Sequence, residues 1–148
     1  MAHTSNESAA VLGMALGTLA PTGFAAVCGM VYFLAASQEP VANRLACGAV
    51  VGAASMLIAS FSLSWHATAV RSAPVRASTA PLWGLVPAIL LGGTLGPVCG
   101  GTAGYILGAL GDGIRVGSLG VFLGPVAWQL AYWAEDLQGI ITSTRVRS

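Results

Sequence analysis

His66 is the one ionisable side chain within an apolar stretch of this sequence, and Ser60, Ser62 and Ser64 precede it at alternate positions. Serine beside histidine suggests nucleophilic hydrolysis. That chemistry needs a carboxylate to orient the imidazole, and the nearest sequence neighbours supply none. The serines are better read as hydroxyls bonding back to helix carbonyls. Haem ligation would need His66 paired with His3, or with Met14, Met30 or Met56, across a bundle. His3 lies outside every apolar stretch, so an interfacial or hydrogen-bonded His66 is the simpler expectation. Cys28, Cys47 and Cys99 are isolated. No Cys-x-x-Cys spacing for zinc or an iron–sulfur cluster occurs, and buried free thiols are expected. A Cys28–Cys47 disulfide would require the two to meet across the first hairpin.

The carboxylates complete the inventory. Glu39, Asp112, Glu135 and Asp136 all fall at the ends of apolar stretches or between them. A proton-carrying rotor, pump or cation carrier normally holds an Asp or Glu in mid-span. Asp112 and Arg115, three apart, are expected to pair. The sequence therefore leads to no catalytic residues, no metal ligands and no cofactor beyond a structural phospholipid, and the chain is not expected to be an enzyme.

The stretches that carry these residues define the protein class. Only 7% of the 148 residues are charged and 55% are hydrophobic, with a net charge of +1. Soluble domains carry about 25% charged residues. So sparse a set cannot cover a water-facing surface of this size, which excludes a conventional soluble enzyme, a disordered chain and a nucleic-acid binder. About 20 apolar residues cross a bilayer as a helix. The charges and turn residues leave four such spans, at about 9–37, 45–69, 82–110 and 115–134, within one membrane domain, 1–148. Spanning strands would alternate apolar and polar residues, and these runs do not. The expected fold is all-α: four transmembrane helices packed through glycine-rich faces. The N-terminal segment lacks the positive charge of a cleavable signal.

With four spans, Arg71, Arg76, Arg145 and Arg147 share the side of the termini, and Arg44 and Arg115 face the other. This favours termini on the cytoplasm-like side. Trp65, Trp83, Trp128 and Trp133 also lie toward the termini. They read as interfacial anchors, and the spacing of Trp128, Tyr132 and Trp133 puts a lipid- or partner-binding patch on one helical face.

Glycine carries the strongest pattern. Gly92, Gly96, Gly100, Gly104 and Gly108 recur every four residues, and Gly93 and Gly101 widen the stripe. Each step of four overshoots a full turn by about 40°, so the row winds slowly around its helix. A partner must cross it at an angle, as in small-xxx-small packing. Gly13 and Gly17, then Gly48 and Gly52, mark the first and second spans, and Gly113/Gly117 and Gly120/Gly124 mark the fourth. Pro87 and Pro97 predict a kink in the third span. The halves suggest paired hairpins.

This layout, from Val11 to Trp133, with glycine faces at Gly13/Gly17, Gly48/Gly52 and Gly92 to Gly108 and short Arg-bearing loops, resembles the Tim17/Tim22/Tim23 superfamily of four-span mitochondrial inner-membrane proteins. That superfamily includes translocase subunits and an accessory subunit of respiratory complex I. Its middle loop spaces an Arg, an Asp and an Arg. Here Arg71 and Arg76 have no Asp between them. The resemblance implies a mitochondrial inner-membrane protein, with the bacterial plasma membrane as the alternative. A small chain made of contact faces is expected to be a non-catalytic structural or assembly subunit of a respiratory-chain or other energy-transducing complex. Its partners would be other membrane subunits and lipids, not nucleic acid. The rival expectation is a small, homo-oligomeric channel or carrier lined by Thr94, Thr102, Ser55 and Ser60.

Overall fold

The computed structural model describes residues 2–72 and 80–134. They form five helices: α1 (Ala2–Ala36), α2 (Val41–Ser72), α3 (Ala80–Ile106), α4 (Leu110–Gly117) and α5 (Gly120–Tyr132). Apolar and small residues surround the long helices on all sides, as in segments that face lipid rather than water. Three windows are long and apolar enough to cross a membrane: Ala10–Ala36, Val41–Arg71 and Gly84–Ile106. A fourth crossing is made if α4 and α5 are taken together as one bent span. These are the helices of an integral membrane protein.

Local chemistry sets the turns. Pro40 disfavours helical backbone at Glu39 and separates α1 from α2. Arg44 then reaches back across the turn: its Nη1 donates to the Leu34 carbonyl at 3.0 Å and its Nε to the Glu39 carbonyl, satisfying acceptors left open at the end of α1. The second hairpin turn is a glycine cap. Ala109 N–H bonds to Gly104 O at 2.6 Å and Gly108 N–H to Tyr105 O at 3.1 Å, with Gly108 at φ 73°. This left-handed position is accessible to Gly at little cost.

The third helix thus stops at Ile106, earlier than the span expected to residue 110. Gly108 consequently leaves the glycine row, and no atom lies within 4 Å of where its Cβ would be. The other difference is in the fourth span. Both prolines lie inside an uninterrupted α3, whereas α4 and α5 meet at a 43° bend. There Ser118 N–H is shared between Ile114 O and Arg115 O, and bonds from Leu119 to Val116, Val121 to Ser118 and Phe122 to Leu119 tighten the chain with i→i−3 pairing. Pro125, which has no N–H to give to the Val121 carbonyl, lies inside α5 beyond the bend.

The bundle is two antiparallel hairpins side by side. α1 lies mainly on α2, and α3 lies on α4 and α5. Between hairpins, α2 meets α3, α1 meets α5, and α2 meets α5 across the short diagonal. Exchanging α1 with α3, and α2 with α4–α5, reproduces this pattern, so the hairpins are related by an approximate two-fold axis along the bundle. Three clusters fill that axis from end to end: Phe33, Val51 and Val116 at the hairpin turns; Ala25, Met56, Ala59 and Leu123 in the middle; and Leu63, Ala67, Ala88, Trp128 and Ala131 toward the termini. Phe24, Val98, Ile106 and Phe122 point outward.

Candidate functional site: the helix interfaces and the turn-side network

A glycine can be judged by what a methyl group in its place would meet. On Gly100, a Cβ would lie 2.5 Å from the Gly113 carbonyl oxygen and 3.1 Å from Ser55 Cβ. On Gly104 it would lie 2.5 Å from the Ala109 oxygen and 2.9 Å from Gly113 Cα. Gly92 faces Gly120 and Gly124, and Gly96 faces Gly117 and Gly120, each nearer still. The α3 row therefore lies inside this chain, against the backbone of α4 and α5. Gly93 and Gly101 sit beside it under Val121 and Ile114. In the first hairpin Gly48 lies on Gly29, and Gly52 on Ala25. Gly13 and Gly17 lie between α2 and α5: their Cβ positions fall 2.8 Å from the Ala131 and Ala127 oxygens of α5, and on the other side Gly17 meets Ser64 Oγ and Gly13 meets Thr68 Cγ2 of α2.

Two of these contacts were missed from the sequence. Gly29 continues the spacing of Gly13, Gly17, Pro21 and Ala25, which fall every four residues. Gly84 heads the α3 row and lies flat against the Trp128 ring. A further signal was available: Gly-Thr-Leu-x-Pro occurs at 17–21 and again at 93–97.

The aromatic residues at the termini end divide into two groups. Trp128 is fully buried, which removes it from the anchors expected to touch lipid. It stacks on Tyr132 with centroids 4.9 Å apart, and its Nε1–H donates to His66 Nδ1 at 3.4 Å. His66 is thus a hydrogen-bond acceptor for a core tryptophan. Arg71 covers Tyr132, its guanidinium carbon 5.4 Å from the ring centroid, and donates to the Tyr132 carbonyl. Trp65 and Trp133 are exposed. Trp133 is oriented by Gln129, which accepts its Nε1–H at 2.6 Å. Trp83 lies within α3. Arg76, Arg145, Arg147, Glu135 and Asp136 lie outside the described residues.

The hydroxyls do not converge. Thr94 and Thr102 are exposed on α3 and donate to Leu90 O and Val98 O, both at 2.8 Å. Ser55 and Ser60 are buried in α2 and donate to Gly52 O at 2.7 Å and Met56 O at 2.6 Å. Ser60 also meets Thr22 of α1 at 3.1 Å. Ser64 Oγ and Thr18 Oγ1 are buried without a hydrogen-bond partner among the described residues. The three cysteines are free and half-buried. No group of three or more His, Cys, Asp or Glu that could hold a metal ion occurs among the described residues.

At the turn side, one polar network joins the hairpins. Tyr32 Oη donates to Asp112 Oδ1 at 2.8 Å. Arg115 Nη1 lies 3.1 Å from Tyr32 Oη and 3.4 Å from Asp112 Oδ1, so the expected Asp112–Arg115 pair includes a tyrosine from the other hairpin. Tyr32→Phe should lower stability by about 1 kcal/mol, the usual net value of such a bond. Equilibrium unfolding in detergent checks this, and an unchanged midpoint would show the contact contributes nothing.

No family model, no curated protein and no solved structure matches this chain.

Proposed function

We propose that this protein is a non-catalytic structural or assembly subunit of a larger membrane complex, in an energy-transducing membrane such as the mitochondrial inner membrane or, alternatively, a bacterial plasma membrane. The observation that carries this reading is the filled axis. Side chains from Phe33 at one end to Trp128 at the other pack the space where a carrier would keep its path. The glycine contacts of α3 hold the chain's own helices together without a hydrophobic drive from lipid. The four-span layout shared with the Tim17/Tim22/Tim23 superfamily agrees with it and suggests the mitochondrial setting.

A subunit needs a face for its neighbours. Only 22% of the α1 spanning window is buried within the chain. On its outer side Gly23 has nothing within 4 Å of its Cβ position. Ala20 and Gly23 leave backbone bare between Leu19 and Val27, where another subunit's helix could approach closely. Gly23→Leu should leave the fold intact, because the added side chain enters open space, and should remove the protein from its complex. Mild-detergent extraction followed by a native gel reads this directly. Co-migration of Gly23→Leu with the same large species would reject this face. A wild-type homo-oligomer that conducts ions or solutes in liposomes would reject the subunit reading in favour of transport.

A further inference from the structure

A half-open cavity of about 510 Å³ lies between the two hairpin turns. Its apolar side is formed by residues such as Phe33 and Leu107, and its polar side by Glu39, Asn43, Arg44 and Asp112. We propose that this cavity binds a zwitterion in which a primary ammonium is joined to a phosphate, the chemistry shared by an ethanolamine phospholipid headgroup and free phosphoethanolamine. The proposal is independent of the subunit reading, because it concerns the turn-side end of the molecule and not its outer helix faces.

The polar groups have unused hydrogen-bonding capacity of both signs. The Glu39 side chain has no hydrogen bond or ion pair among the described residues; only its backbone N–H is engaged, with Ser37 Oγ at 3.2 Å. Asp112 uses Oδ1 for Tyr32 and Arg115 and leaves Oδ2 open. The Asn43 amide is likewise unengaged. A primary ammonium carries three donors and no acceptor, which suits two carboxylates and an amide oxygen. Arg44 supplies the opposite charge. Its Nε and Nη1 are committed to the Glu39 and Leu34 carbonyls, so the guanidinium is held in place with Nη2 unused. Arg44 lies in the first turn of α2, where open backbone N–H groups and the helix dipole favour an anion. A quaternary ammonium has no N–H to give and should be disfavoured.

The test uses the full chain, delipidated in detergent. Native mass spectrometry would compare phosphatidylethanolamine with phosphatidylcholine of the same acyl chains, and calorimetry would follow titration with phosphoethanolamine. Preferential retention of phosphatidylethanolamine supports a lipid headgroup as ligand, and saturable binding of phosphoethanolamine supports a free solute. Glu39→Gln lies in an exposed turn and should weaken either by about tenfold, the size of one charge-assisted hydrogen bond. Asn43→Leu, which fills the cavity, should do the same. Equal retention of the two lipids with no phosphoethanolamine binding overturns the proposal, as does wild-type affinity in a folded Glu39→Gln protein.

Discussion

Gly100→Leu should force α3 apart from α4 and α5 within the second hairpin, with a loss of about 3 kcal/mol or more, at the upper end of the usual cost of overpacking. Gly100 has no room on either side. The Gly113 carbonyl lies 2.5 Å from its Cβ position, Gly117 Cα 3.2 Å and Ser55 Cβ 3.1 Å. Two of these neighbours are backbone, which cannot change rotamer. The helices must separate, and every contact from Gly92 to Gly104 would loosen with them. Trp128 is a convenient reporter, because it is buried against α3 at Gly84. Its fluorescence should shift and the unfolding midpoint should fall. Leu91→Val, on the outward face of the same helix, should be nearly silent. A Gly100→Leu protein that unfolds at the wild-type midpoint would show that close backbone approach is not what holds this interface.

Trp128→Ala is the second large effect, at about 3 kcal/mol. In water the loss would combine hydrophobic transfer with the cavity left behind. In lipid the transfer part is small, because acyl chains are as apolar as the core. What remains is lost dispersion contact with Leu63, Ala67, Ala88 and Ala131, the stack on Tyr132 and the bond to His66. Trp128→Phe should recover most of the packing but not that bond. Comparing unfolding of the two variants in the same detergent separates the contributions. Equal destabilisation by Phe and Ala would assign the whole effect to the indole N–H.

The sequence reveals the long apolar helices more readily than the use of each face. Charge spacing is enough to place α1, α2 and α3, because a long apolar run such as that between Arg44 and Arg71 has few alternatives in a membrane protein. It cannot distinguish an aromatic residue at an interface from one in a core. Trp128 and Trp133 are five residues apart, yet the first is buried and the second exposed. The difference arises from Gly84, on another helix, which leaves the space that Trp128 occupies. Gly108 fits the four-residue period but lies beyond the end of its helix. Periodicity continues through a capping glycine, and only the left-handed backbone reveals the stop. The break at Ser118–Leu119 was similarly hidden, since Pro87 and Pro97 are the more conspicuous helix breakers. The bond from Tyr32 to Asp112 joins residues 80 positions apart, and no local pattern encodes it.

The bend between α4 and α5 bears on how the chain enters a bilayer. The eight residues of α4 reach about 12 Å and the thirteen of α5 about 20 Å, each short of a hydrocarbon layer of roughly 30 Å. Neither piece is a self-sufficient insertion signal. Their backbone groups at the junction must be sheltered as they leave water, and α3 is the neighbour whose bare ridge fits them. Taken together as one bent span, α4 and α5 would cross only against α3, so the expected order of insertion is the two arms of the second hairpin together and not one after the other.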